Sequence, residues 1–173
     1  MSSLRSARVG LLALALVAAP VIAGEESHSG RDHKNEVALF LGWTDESGHA
    51  TEPTWGVDYK RLFAKRWAVG GIFDHAGGDL RDSIVSTFVG YRPGLGNLGL
   101  LVGPGVEFHA GRDGGDGHEG EEPDEDATYF LVRVGVSYDF HVGERFGIVP
   151  NVNLDFVDHE EVWGYGLAFT YGF

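Results

Sequence analysis

The last twelve residues alternate without a slip. Trp163, Tyr165, Leu167, Phe169, Tyr171 and Phe173 fall on one face, and Val162, Gly164, Gly166, Ala168, Thr170 and Gly172 on the other. A period of two marks a strand, because successive side chains point to opposite sides. The pattern recurs upstream. Phe130, Val132, Val134, Val136, Tyr138 and Phe140 oppose Tyr129, Leu131, Arg133, Gly135, Ser137 and Asp139. Phe146, Ile148, Val152, Leu154 and Phe156 oppose Gly147, Asn151, Asn153 and Asp155. Extended along the chain, the alternation predicts eight strands at about 36–44, 54–63, 67–75, 82–92, 98–110, 127–140, 145–156 and 161–173. No stretch sustains a 3.6-residue period, so the fold class is all-β.

The connections alternate in length. Those at 64–66, 93–97 and 141–144 are short, whereas 45–53, 76–81, 111–126 and 157–160 are longer or more acidic. Short turns at one end and longer loops at the other describe an eight-stranded antiparallel up-and-down transmembrane β-barrel. A soluble barrel would carry the same alternation with its apolar face inward, so the aromatic positions decide. Trp43, Trp55, Phe73, Phe108, Phe130, Phe156 and Trp163 cluster beside the long loops. Phe63, Trp67, Tyr91, Phe140, Phe146, Tyr171 and Phe173 cluster beside the short turns. Folded up and down, these become two aromatic girdles with Val, Ile and Leu between them, as expected at two lipid–water interfaces.

The N-terminus reads as a targeting segment. Arg5 and Arg8 precede an apolar run from Val9 to Val17, and small residues lead to Ala23. This is a secretory signal peptide pattern over residues 1–23; the run is shorter than the roughly 20 residues that span a bilayer. Cleavage after Ala23 leaves 11 basic against 26 acidic residues, a net charge of −15. That charge repels phosphate and argues against nucleic acid. Residues 24–35 read as a flexible periplasmic leader and 36–173 as the barrel. With no cysteine, neither disulfides nor thiolate metal sites are available.

The signal peptide, the eight amphipathic strands, Gly56-Val57-Asp58-Tyr59, Gly103-Pro104-Gly105-Val106-Glu107 and the terminal Tyr171-Gly172-Phe173 carry a resemblance. The chain resembles small Gram-negative outer-membrane β-barrels of the OmpA/OmpW-like, "porin family" type over residues 36–173. The resemblance implies a place in the cell outer membrane, with lipid and lipopolysaccharide as neighbours. It also implies that Phe173, Tyr171 and Phe169 form the signal read by the barrel assembly machinery. Pro104 and Pro150 lack a ladder donor, which predicts local bulges.

If the aromatic face meets lipid, the interior contains Glu36, Asp58, Lys60, Glu107, Arg133, Asp139, Asn151, Asn153 and Asp155. Charges in a narrow interior must pair or hold water. Eight strands leave a bore that side chains can fill, so a plugging network around Arg133 and Lys60 is expected. A narrow path for ions or small solutes is the alternative, favoured by Gly99, Gly103, Gly105, Gly164 and Gly166. The loop at 111–126 carries eight acids and one Arg. His49, His75, His109, His118 and His159 lie in or beside the long loops, and imidazole with carboxylate offers ligands for divalent metals. Their spacing matches no defined motif, so a diffuse acidic surface with weakly held divalent cations is the plainer expectation; no cofactor is implied.

Catalysis finds little support. Ser47 and Ser83 could approach the outer rim, and His159 lies beside Asp158, Glu160 and Glu161, but the sequence fixes no nucleophile–base contact. The expectation is a monomeric, non-enzymatic barrel with a structural or surface-interaction role.

Overall fold

The computed structural model describes residues 33–46, 51–78, 80–109, 127–158 and 160–173. They form β1 (Asn35–Glu46), β2 (Glu52–Ala64), β3 (Trp67–Ala76), β4 (Asp82–Tyr91), β5 (Leu98–His109), β6 (Ala127–Tyr138), β7 (Phe140–Val142), β8 (Phe146–Val157) and β9 (Glu160–Gly172). Every pairing is antiparallel, and β9 returns to β1 from Glu36↔Gly172 to Glu46↔Val162, which closes the sheet. Apart from the three-residue β7, the strands have 10–13 residues, which suits the roughly 9–11 needed to cross tilted through a bilayer. Among the described residues no helix is long and apolar enough to cross a membrane.

Nine strand segments make eight staves. β6 and β7 pair with β8 in one unbroken register, Ser137↔Asn151 and then Phe140↔Ile148, so they are a single stave interrupted at Tyr138 and Asp139. Pro150 explains the interruption. Its position faces Tyr138, whose carbonyl would take the N–H that proline lacks. Pro104 acts the same way: β4 and β5 pair up to Ser86↔Gly105, skip Thr87 and Phe88, and resume at Val89↔Val102. The bulges expected at Pro104 and Pro150 are therefore absent. Each proline opens a gap in one ladder while the register holds, because its donorless side faces a single neighbour and its other ladder continues. The register shift falls instead between Leu62 and Ala64.

Exposure is inverted relative to a water-soluble barrel. Leu39, Leu41, Val57, Val69, Val85, Val89, Val102, Val132 and Val134 point outward and are exposed, while Glu36, Asp74, Glu107, Arg133 and Asp155 are buried. An apolar belt on this scale is stable against lipid, not water. Trp43, Trp55, Trp67, Phe108, Phe140, Phe156 and Trp163 stand exposed on the outside, with Tyr91 and Tyr171 half-buried among them. Cross-strand ring contacts tie several together, with centroids 4.6 Å apart for Trp67–Tyr91 and 5.2 Å for Phe146–Tyr171.

The interior is not wholly polar. Phe40 and Phe88 are buried in it. A Cβ on Gly42 or Gly166 would strike the Phe40 ring and the backbone of the facing strand, so those glycines make room for a bulky ring inside the barrel. Their role is packing around Phe40.

Candidate functional site

Period-two parity in β6 turns Arg133 inward, opposite Asp155 on β8. Arg133 Nε donates to Asp155 Oδ1 and Nη2 to Asp155 Oδ2, both at 2.7 Å, a bidentate pair. The remaining arm, Nη1, reaches Asp74 Oδ2 at 2.5 Å. Asp74 lies on β3, three staves away, so the guanidinium bridges the bore. Arg133 is 3% exposed. The sequence-based lumen set omits Asp74, although parity from the outward Phe73 would have placed it inside; Gly70-Gly71 breaks the alternation there.

The other expected lumen residues divide into separate groups. Lys60 and Glu36, register partners on β2 and β1, form an ion pair of 2.6 Å toward the short-turn end. Asp139 sits at that same end, in the gap between β6 and β7, where its backbone N–H donates to Asn97 O at 3.1 Å. Its carboxylate lies 3.9 Å from Arg92 and 3.8 Å from His141. Asp58, Asn151 and Asn153 line the interior, each with a buried oxygen accepting no hydrogen bond among the described residues. Glu107 lies on the opposite side of Arg133, toward the long loops, and Ser86 is a further buried lumen residue that sequence reasoning missed. The expected set is thus not one network but a central knot with polar groups above and below it.

Three cavities follow one another along the bore. The first, about 100 Å³, lies toward the short turns and has room for several waters. The second, about 20 Å³, surrounds Arg133 and shares Phe40, Asp74 and Asn153 with the first. The third, about 220 Å³, lies at the long-loop mouth and shares Glu107 and Val162 with the second. The narrow middle coincides with the Arg133 knot.

Of the expected metal ligands, the two among the described residues, His75 and His109, each meet another side chain. His49, His118 and His159 lie outside the described residues. His109 Nδ1 meets Asp82 Oδ1 at 2.5 Å inside the mouth, whereas His75 Nδ1 meets Ser83 Oγ at 3.0 Å on the outer face beside Trp55. Among the described residues no group of three His, Asp or Glu side chains converges to hold a metal ion. The His75–Ser83 contact is a nucleophile–base pair by residue type. No carboxylate bonds the other nitrogen of His75 among the described residues, so the pair lacks the orienting third group of a triad.

A closed, eight-stave antiparallel barrel with an apolar outside and a charged interior is an integral outer-membrane β-barrel. Solved structures of that class share its fold. The N-terminal β-barrel domain of Pseudomonas aeruginosa OprF aligns over 82% of this chain and 100% of its own, with a TM-score of 0.56 at 12% identity. Ail, the attachment invasion locus protein of Yersinia pestis, aligns over 80% and 96%, with a TM-score of 0.54 at 18% identity. Ail is also known in complex with the heparin analogue sucrose octasulfate. Neisserial surface protein A aligns over 80% and 96%, with a TM-score of 0.50 at 11% identity. No family model matches the chain, and no curated protein sequence matches it either.

Proposed function

We propose that this protein is a surface scaffold of the outer membrane, a plugged barrel that displays its long loops to the outside and conducts little or nothing. The observation that carries this is Arg133, which joins Asp155 on β8 to Asp74 on β3 across the bore. Single-channel recording in planar bilayers tests it. A silent bilayer is expected, and reproducible discrete steps would replace the scaffold by a narrow pore. The pore is the second reading, favoured by the cavity of about 100 Å³ on the short-turn side.

The scaffold is a monomer whose residues 1–23 are removed on export, whose 24–35 segment stays periplasmic, and whose Phe169, Tyr171 and Phe173 engage the assembly machinery. Residues 45–53, 76–81, 111–126 and 157–160 face outward. An epitope inserted at Gly115 is then reachable on intact cells and one beside Lys65 is not; the opposite result would invert the topology. The partner that fits this surface is not a polyanion of the kind seated on Ail, because the net charge after removal of residues 1–23 is −15. Lipopolysaccharide is accommodated through weakly held divalent cations that bridge it to the acidic loops. No catalytic role is assigned.

A further inference from the structure

The cavity of about 220 Å³ at the long-loop mouth has a chemistry that the Arg133 knot does not use. Four carboxylates line it, Glu46 from β1, Glu107 from β5, Asp158 from the β8–β9 turn and Glu160 from β9. Glu107 is 7% exposed, and its Oε2 is buried without a hydrogen-bond partner among the described residues. A carboxylate oxygen taken from water and left unmatched is costly, so a donor that reaches it is strongly favoured. His109 lines the same cavity, with its Nδ1 turned to Asp82.

Apart from His109, the rest of the wall is apolar. Val157 and Val162 are buried beside Glu107, and the Tyr129 ring lines the same space. Negative charge next to methyl groups and an aromatic face suits a cation with a hydrocarbon stem, whose ammonium group meets the carboxylate and whose methylenes lie on the valines. A metal ion fits less well, since no three acidic or imidazole groups converge among the described residues. The cavity is many times the roughly 10–15 Å³ that one water requires on the same measure.

We propose that the long-loop mouth binds a small aliphatic ammonium ion, an alkylamine or alkyldiamine, with Glu107 as its anchoring acceptor. The site stands above the knot, so it is independent of whether the bore conducts. The full barrel, refolded in detergent at low salt, is titrated calorimetrically with 1,4-diaminobutane, with ammonium chloride as the stemless comparison. Saturable one-to-one binding of the diamine, tighter than ammonium, is expected. Glu107→Gln should weaken it about tenfold, the loss of one charge-assisted hydrogen bond. Heat-shifted gel mobility reports whether the variant is assembled. Should it not assemble, Glu160→Gln at the exposed rim serves instead, with a smaller loss of affinity expected. Unchanged affinity in the assembled variant would overturn the proposal, because the acidic loops alone would then account for binding. Equal affinities for ammonium and diamine, or Glu107-dependent binding of calcium without any for the diamine, would overturn it as well.

Discussion

Arg133 and Asp155 face each other across the β6–β8 ladder and meet through two parallel N–H···O bonds of 2.7 Å. The pairing leaves one guanidinium arm free to cross the bore, and Asp74 takes it. The free space left beside the two carboxylates and the guanidinium is about 20 Å³, little more than the roughly 10–15 Å³ that one water requires. Desolvating three charges is tolerable because the geometry is bidentate and all three groups are hydrogen-bonded.

Replacing Arg133 by Met should destabilise the barrel by about 3–5 kcal/mol, since Asp74 and Asp155 are left buried without their partner. Adding Asp74→Asn and Asp155→Asn should recover most of that loss. Urea unfolding in lipid vesicles measures both. A single variant as stable as the parent would show that the knot is not closed in the membrane.

Depth should govern the cost of charge on the outer face. Leu41 lies midway along β1 and Trp43 two residues nearer the long loops, both outward. Leu41→Arg should cost about 2–4 kcal/mol and Trp43→Arg markedly less, toward roughly 0–1 kcal/mol at the interface. Equal penalties would argue against a belt of lipid at that height.

Pro150→Val should supply the N–H that the Tyr138 carbonyl lacks and fuse β6 with β7. The gain expected from one restored ladder bond is about 1 kcal/mol. Amide exchange is the direct readout: the backbone amide introduced by the substitution should be protected, and its rapid exchange would mean that Pro150 is not the cause of the gap.

Phe173→Ser should lower the amount of heat-modifiable barrel recovered from the outer-membrane fraction while leaving synthesis unchanged. Quantifying folded and unfolded bands from isolated membranes checks it. Normal yield would remove Phe173 from the assembly signal.

The strands were legible because lipid on one side and packed side chains on the other impose a strict period of two, and parity assigns each residue to a face. Arg133, Asp155, Glu107, Glu36 and Lys60 are placed inside by that rule alone. Neighbouring staves are also near in sequence, which makes pairs such as Glu36–Lys60 foreseeable. Parity carried on from Glu36 turns Phe40 inward too, but it does not say what holds a bulky ring in the bore; only the closed barrel shows Phe40 packed over Gly42 and Gly166. Parity also says nothing about partners across the bore. Arg133 finds Asp74, and Glu107 Oε2 finds no partner among the described residues, because closure and the stagger of the staves set the height at which distant side chains meet. That height is a property of the whole ring, fixed only when β9 joins β1.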